Sequence, residues 1–190
     1  MRAANPGQSA LLALDVIDVL NRFHVPYAII GAFAASFYGV VRASLDVDAV
    51  ISLGPGQADI NTLTDELHKA GLKTTSRTGD LGDPVGAVLN VEDAFRNRVD
   101  LLMKIRGMTE AIFSRVVEAE FLNTRIRVIS LEDFIVMKIF AGSPRDLDDA
   151  AGVLKVSHHR VHLPLLKELM EPYGKGALQR LEALLQGPTP

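Results

Sequence analysis

Along residues 8–23 apolar side chains return every three or four positions. Leu12, Val16, Leu20 and Phe23 share one face, while Asp15, Asp18 and Arg22 lie elsewhere. That spacing predicts an amphipathic helix, which His24-Val25-Pro26 stops. The apolar run PYAIIG at 26–31 predicts a short buried strand; Gly31 then opens a second helix over 32–38, closed by Gly39. At 45–53 the pattern changes to alternation. Leu45, Val47, Ala49 and Ile51 fall on one face and Asp46, Asp48, Val50 and Ser52 on the other, as in a strand with one core face. Gly54-Pro55-Gly56 predicts a turn, 58–70 a third helix ended by Gly71, and 72–77 a strand. A loop over 78–84 precedes strands at 85–91 and 98–105. A helix is expected over 109–119 and a last strand at 125–129.

Beyond Ser130 the pattern is helical. Ser130 can cap SLEDFIVMKIFAG. Ser143-Pro144-Arg145-Asp146 carries a helix start, with a hydroxyl at the cap, proline at the first position and an acid at the third. Two more helices are expected at about 164–171 and 175–185, with loose residues at 187–190. The expected fold class is α/β (α+β): a mixed sheet flanked by helices over 1–129, then a helical annex over 130–190. The annex is too small to fold alone and is expected to pack on the core.

Composition narrows the function. The 190 residues include 20 Lys and Arg against 23 Asp and Glu, a net charge of -3. General nucleic-acid binders carry the opposite excess. Cys is absent, which excludes disulfides, thiolate zinc sites and cysteine nucleophiles. The apolar stretch at 28–41 is too short to span a bilayer, and Asp15 and Asp18 break the N-terminal apolar run, unlike a signal peptide. No membrane association and a cytoplasmic location are expected.

Candidate chemistry begins at Asp46 and Asp48. Period two puts both carboxylates on one strand face with Cα atoms about 7 Å apart, so they can converge on hard cations. Taken alone the pair reads as acids on a solvated strand face. Gly31, between a strand and a helix, permits close approach of a phosphate to the helix start, or simply makes a tight turn. Asp100, in RVDLLMK, lies on the face opposite Val99, Leu101 and Met103. An adjacent strand would bring it to the first two acids. Three carboxylates within about 5 Å would repel by on the order of 3 kcal/mol per pair at an effective dielectric of about 20. A divalent cation or a shared proton relieves that repulsion.

Together these residues resemble the signature of the DNA polymerase beta-like nucleotidyltransferase superfamily. In IIGAFAASFYGVVRASLDVDAVI, Gly31-Ala32 is followed by thirteen residues and then Asp46-Val47-Asp48; Asp100 matches the third acid. The stretch SLEDFIVMKIFAGSPRDLDDAAGVL is similar to AbiEii-type and minimal nucleotidyltransferases through Lys138, Arg145, Asp146, Leu147 and Asp149. The resemblance covers roughly residues 20–155. It implies that Asp46, Asp48 and Asp100 are catalytic and bind Mg²⁺ or Mn²⁺. It also implies that Gly31 admits a nucleoside triphosphate and that Lys138 reaches its phosphates. The acceptor hydroxyl would belong to tRNA or protein, and an antitoxin would be the partner. One departure stands out: Ala32 occupies a position where relatives carry Gly or Ser. Ser36, one helical turn on, is offered as a partial substitute. The alternatives are an aminoglycoside nucleotidyltransferase and a non-catalytic nucleotide-binding module on the same fold.

The remaining candidates are weaker. Arg42, beside Ser44, either touches phosphate or neutralises the acids, or forms a surface ion pair. Asp146 and Asp149 either order the nucleotide side of the cleft or, for Asp146, complete a helix cap. His158, His159 and His162 have spacings that suit a metal on a helix, but they fall between helices and read as a solvated loop. Arg96, Arg98, Lys104, Arg106, Arg125 and Arg127 read as a basic rim or as solvated strand edges.

Overall fold

The computed structural model describes residues 1–54, 59–80 and 82–186. Pro55 and Gly56 of the expected turn, the start of the third helix at Ala58, and the tail at 187–190 lie outside the described residues.

Seven described strands form one mixed sheet: β1 (Tyr27–Ile29), β2 (Asp46–Ile51), β3 (Lys73–Thr78), β4 (Val85–Glu92), β5 (Arg98–Ile105), β6 (Val117–Phe121) and β7 (Thr124–Val128). Their order across the sheet is β3-β4-β5-β2-β1-β7-β6. The helices are α1 (Ser9–Arg22), α2 (Gly31–Phe37), α3 (Ile60–Lys69), α4 (Leu131–Ala141), α5 (Pro144–Ser157), α6 (Leu163–Met170) and α7 (Lys175–Gln186). Fold class is therefore as expected, a mixed sheet flanked by helices.

Helix α1 lays Leu12, Val16 and Leu20, all buried, against β2, β5 and α3. Helix α4 packs against α5, α6 and α7 and is buried on most of its surface, with Phe134, Ile135 and Ile139 fully inside. A single apolar cluster runs from α1 through the sheet to Leu166 and Leu181 of the C-terminal helices. The caps read from the sequence hold: Ser130 accepts from the Asp133 N–H and Ser143 from the Asp146 N–H. The Tyr38 hydroxyl donates to the Ile129 carbonyl at 2.6 Å, pinning the end of α2 to the end of β7.

One expected element is corrected. The helix at 109–119 is a short 3-10 turn over Glu110–Ser114, followed by strand β6. Val117, Ala119 and Phe121 alternate with Glu118 and Glu120, a period-two pattern that suits an edge strand. Leu122 and Asn123, at φ 48° and 60°, make the two-residue hairpin turn into β7.

Among the described residues, no helix is long and apolar enough to cross a membrane.

Candidate active site

Strand register assembles the acids. β2 and β5 run parallel, with Asp48 beside Asp100 and Asp46 beside Arg98. Alternation keeps Val47, Ala49, Val99 and Leu101 in the core and sends the acids to the opposite face. The antiparallel partner β4 sets Asn90 opposite Asp100, and the Asn90 amide donates to Asp100 Oδ1 at 2.8 Å.

The three carboxylates have different environments. The Ser44 hydroxyl donates to Asp46 Oδ1 at 2.7 Å and Arg98 Nη2 donates to Oδ2 at 2.5 Å. These bonds, Ser44 first, hold the Asp46 carboxyl below its ordinary range despite partial burial. Asp48 goes the other way. Burial first, then the charges of Asp46 and Asp100, push its carboxyl up to about 6; Lys138 and Arg98 offset only part of that. Arg98 Nε also lies 3.2 Å from Asp100 Oδ1.

The donor set suits hard divalent cations: three carboxylates on one face of neighbouring strands, with Asp48 still carrying unrelieved like-charge repulsion. The side chains are nonetheless turned toward Ser44, Asn90 and Arg98. Among the described residues, no three His, Asp or Glu side chains meet closely enough to ligate an ion.

Gly31 has φ +63°, a region that glycine enters without steric cost. A Cβ placed on it would stand 2.2 Å from Asp48 Oδ2. Backbone and acid are therefore packed face to face, and the Ile30 N–H donates to the Asp48 carbonyl at 2.9 Å. Helix α2 starts here without a side-chain cap. Ala32 is buried, and the Ser36 hydroxyl accepts from the Arg42 backbone N–H at 3.4 Å.

Beside Asp46 a cavity of about 420 Å³ opens along α2, walled by Phe33, Phe37, Phe121 and Ile126 with Ser36 and Arg42 among its polar lining. Phe33 and Phe121 meet edge to face at 5.3 Å. A larger cavity, about 570 Å³, lies at the other end of β2 and β5 near Ile112 and Phe113 and is lined by none of the three acids.

Lys138, Asp146, Asp149 and Arg42 form a chain of charges. Lys138 Nζ lies 2.8 Å from Asp146 Oδ1 and 2.8 Å from Asp149 Oδ2, and Arg42 Nη1 donates to the same Asp149 oxygen. Lys138 is only 8% exposed and Asp149 5%, so the ammonium is directed at carboxylates on α5. Burial raises the Asp146 carboxyl, but hydrogen bonds from Lys138 and Ser143 outweigh it and leave the group below its ordinary range. Lys138→Met removes the ammonium that these acids share and leaves Asp149 to Arg42 and Asp146 to Ser143. It is expected to cost about 1–3 kcal/mol in urea unfolding, the range for losing a partly compensated charged hydrogen bond.

The other candidates disperse. His158–Arg160 is a 3-10 turn of exposed residues between helices, and His162 caps α6 by accepting from the Leu165 N–H at 3.3 Å. Arg125 pairs with Glu118 at 3.6 Å and Arg127 lies over the Tyr27 ring. Their strand is separated from β5 by β2 and β1, so the basic residues form no continuous rim. Of the acids' two polar partners, the sequence offers Arg98 only as part of a basic rim and does not single out Asn90. Their polar positions on alternating strands are visible in the sequence, but their place beside the acids depends on register.

No family model matches the sequence, and no curated protein does. Solved structures are similar to it. An antigenic nucleotidyltransferase-like protein from Paracoccidioides brasiliensis aligns with TM-score 0.56 at 15% identity, over 97% of this chain and 90% of that one. The antibiotic-resistance factor ANT(2'')-Ia, solved in solution, gives TM-score 0.58 at 16% identity, over 96% and 97%. Its crystal structure in complex with adenylyl-2''-tobramycin gives 0.57 at 14%, over 87% and 96%. At these identities the likeness shows the fold, that of nucleotidyltransferases.

Proposed function

We propose that this protein transfers a nucleoside monophosphate from a nucleoside triphosphate to a hydroxyl acceptor. The observation that carries the reading is the register that sets Asp48 beside Asp100, two positions from Asp46, against the left-handed Gly31. Asp46, Asp48 and Asp100 would hold two Mg²⁺ or Mn²⁺ ions. Ions held there would supply charge that offsets the phosphates during an in-line displacement. The missing Cβ of Gly31 lets the Asp48 carboxylate pack against the backbone at the start of α2, where the triphosphate would bind. Asn90 holds the Asp100 carboxylate by one oxygen, so that the other can accept the acceptor hydroxyl's proton. The acceptor oxygen bonds to the α-phosphorus, the bond from that phosphorus to pyrophosphate breaks, and pyrophosphate leaves. The aromatic cavity beside Asp46 is roomy enough for a nucleoside. Lys138, held by Asp146 and Asp149, would order the nucleotide side of the cleft through these acids.

The AbiEii-like spacing of Lys138, Arg145, Asp146 and Asp149 favours a toxin-like member that modifies tRNA or protein and pairs with an antitoxin. A second reading, an aminoglycoside acceptor, has two supports. The chain carries a net charge of -3, which suits a cationic drug, and ANT(2'')-Ia, solved with adenylyl-2''-tobramycin, is spanned over 96% of its length.

The test offers each of four α-labelled triphosphates with Mg²⁺ or Mn²⁺ to total RNA, to the protein itself and to aminoglycosides. Label is expected on one acceptor class and is expected to vanish in Asp46→Ala. Labelled RNA or protein supports the toxin-like reading and labelled drug the second. Nucleotide binding without transfer to any of them identifies a non-catalytic module, the outcome that the buried Ala32 would favour.

A further inference from the structure

Arg98 opens β5 directly beside Asp46. Its guanidinium forks across the acid face, with Nη2 2.5 Å from Asp46 Oδ2 and Nε 3.2 Å from Asp100 Oδ1. With Ser44 on Asp46 Oδ1 and Asn90 on Asp100 Oδ1, both Asp46 oxygens accept a hydrogen bond, and one Asp100 oxygen accepts from Asn90 and is ion-paired with Arg98. Among the described residues, none donates a hydrogen bond to the Asp48 side chain. Asp46 and Asp100 are mostly buried, at 25% and 18% exposed, whereas Arg98 is 49% exposed. The cation therefore sits over the carboxylates from the solvent side, where it can withdraw without unpacking the core.

We propose that Arg98 is a built-in counter-ion for the acid cluster, which a divalent cation must displace from Asp46 and Asp100 in order to bind. This rests on the metal-dependent reading above and adds the route by which the site loads. Lone pairs committed to N–H donors do not ligate a metal, so loading is a competition between a guanidinium and the ion. Asp48 provides the uncommitted oxygens on which an incoming ion lands first. The always-charged guanidinium relieves repulsion among the acids in the absence of metal, and it does so at the expense of metal affinity. A lysine in its place would have one ammonium and could not fork between both acids as firmly.

The experiment measures Mn²⁺ binding without nucleotide, by electron paramagnetic resonance titration, for the full chain and for Arg98→Gln, Arg98→Lys and Arg96→Gln. Thermal midpoints in chelator and in Mn²⁺ accompany each titration. Arg98→Gln is expected to bind Mn²⁺ about tenfold more tightly. Its midpoint in chelator should fall, and its rise on adding Mn²⁺ should exceed that of the parent. Arg98→Lys should be intermediate. Arg96→Gln removes the same charge from a neighbouring loop position and should shift affinity less than twofold. Equal or weaker Mn²⁺ binding by Arg98→Gln overturns the proposal while leaving the metal-dependent reading intact, as does an equal gain in Arg96→Gln. Absence of Mn²⁺ binding in the parent and all variants overturns both together.

Discussion

Asp48→Asn is expected to abolish nucleotidyl transfer while making the metal-free protein more stable at neutral pH. The Asp48 carboxyl titrates at about 6 because it is buried among like charges, against 3.8 for an unperturbed carboxyl. Between those values the folded protein binds more protons than the unfolded chain, so stability falls as pH rises through the window. Once pH exceeds 6 the accumulated loss is about 3 kcal/mol, at about 1.4 kcal/mol per unit. Asparagine has similar shape and no charge, so it removes that loss. Its advantage in thermal midpoint should be about 6–10 °C at pH 8 and should nearly vanish near pH 4, close to the lower of the two values. Transfer should fall on the order of 10³-fold, as when a group that meets transition-state charge is removed. Scanning calorimetry of both proteins in chelator at pH 4, 6 and 8, beside the labelling assay, checks the two halves. A midpoint for Asp48→Asn that stays level with the parent at pH 8 would show that the buried charge is relieved by other means. Opposite signs for stability and activity are characteristic of a residue held in place for function.

Gly31→Ala should be the most damaging single-methyl change. Alanine at φ +63° costs about 1–2 kcal/mol in backbone strain alone. Its Cβ would also overlap Asp48, with Oδ2 at 2.2 Å and Cγ at 3.0 Å, so the carboxylate must turn out of its place. The expected loss is about 3 kcal/mol by urea unfolding, with transfer reduced on the order of 10²-fold or more. A double-mutant cycle separates the two causes. Asp48→Ala removes the two nearest atoms and leaves only Cβ, at 3.1 Å. In that background Gly31→Ala should cost little beyond the backbone strain, giving a coupling energy of about 1–2 kcal/mol. Zero coupling would mean that strain alone explains the loss and that the glycine does not shape the acid's position.

Much of this site could be read before any fold was known. The alternation at Asp46–Ile51, the glycine after an apolar run and the acid in RVDLL depend on a strand's period of two and on a turn's need for glycine. The caps at Ser130 and Ser143 were equally legible, since a hydroxyl three residues before the N–H that it accepts from is a local event. In the sequence 109–119 reads as a helix because the alternation that marks β6 is confined to five residues. Its hairpin turn also uses Leu122 and Asn123 at positive φ instead of the Asn-Gly pair that announces such turns. The phosphate role of Lys138 is implied only by the family resemblance. Spacing does not say which of several negative groups a long side chain will reach, and in the fold two carboxylates on α5 hold it.

What the sequence determined by itself, then, is the element pattern through most of the chain, the three acids and the glycine. Each rests on interactions among residues a few positions apart, or on one residue's own conformational range. Tertiary structure alone decided that Asp100 stands beside Asp48, that Asn90 braces it and that Arg98 spans the outer carboxylates. The Arg98–Asp46 pair joins residues 52 positions apart and the Arg42–Asp149 pair residues 107 apart. Such contacts are set by strand register and helix packing. The cost of slipping the whole hydrophobic face of a strand out of the core fixes that register, and the polar residues on the other face follow.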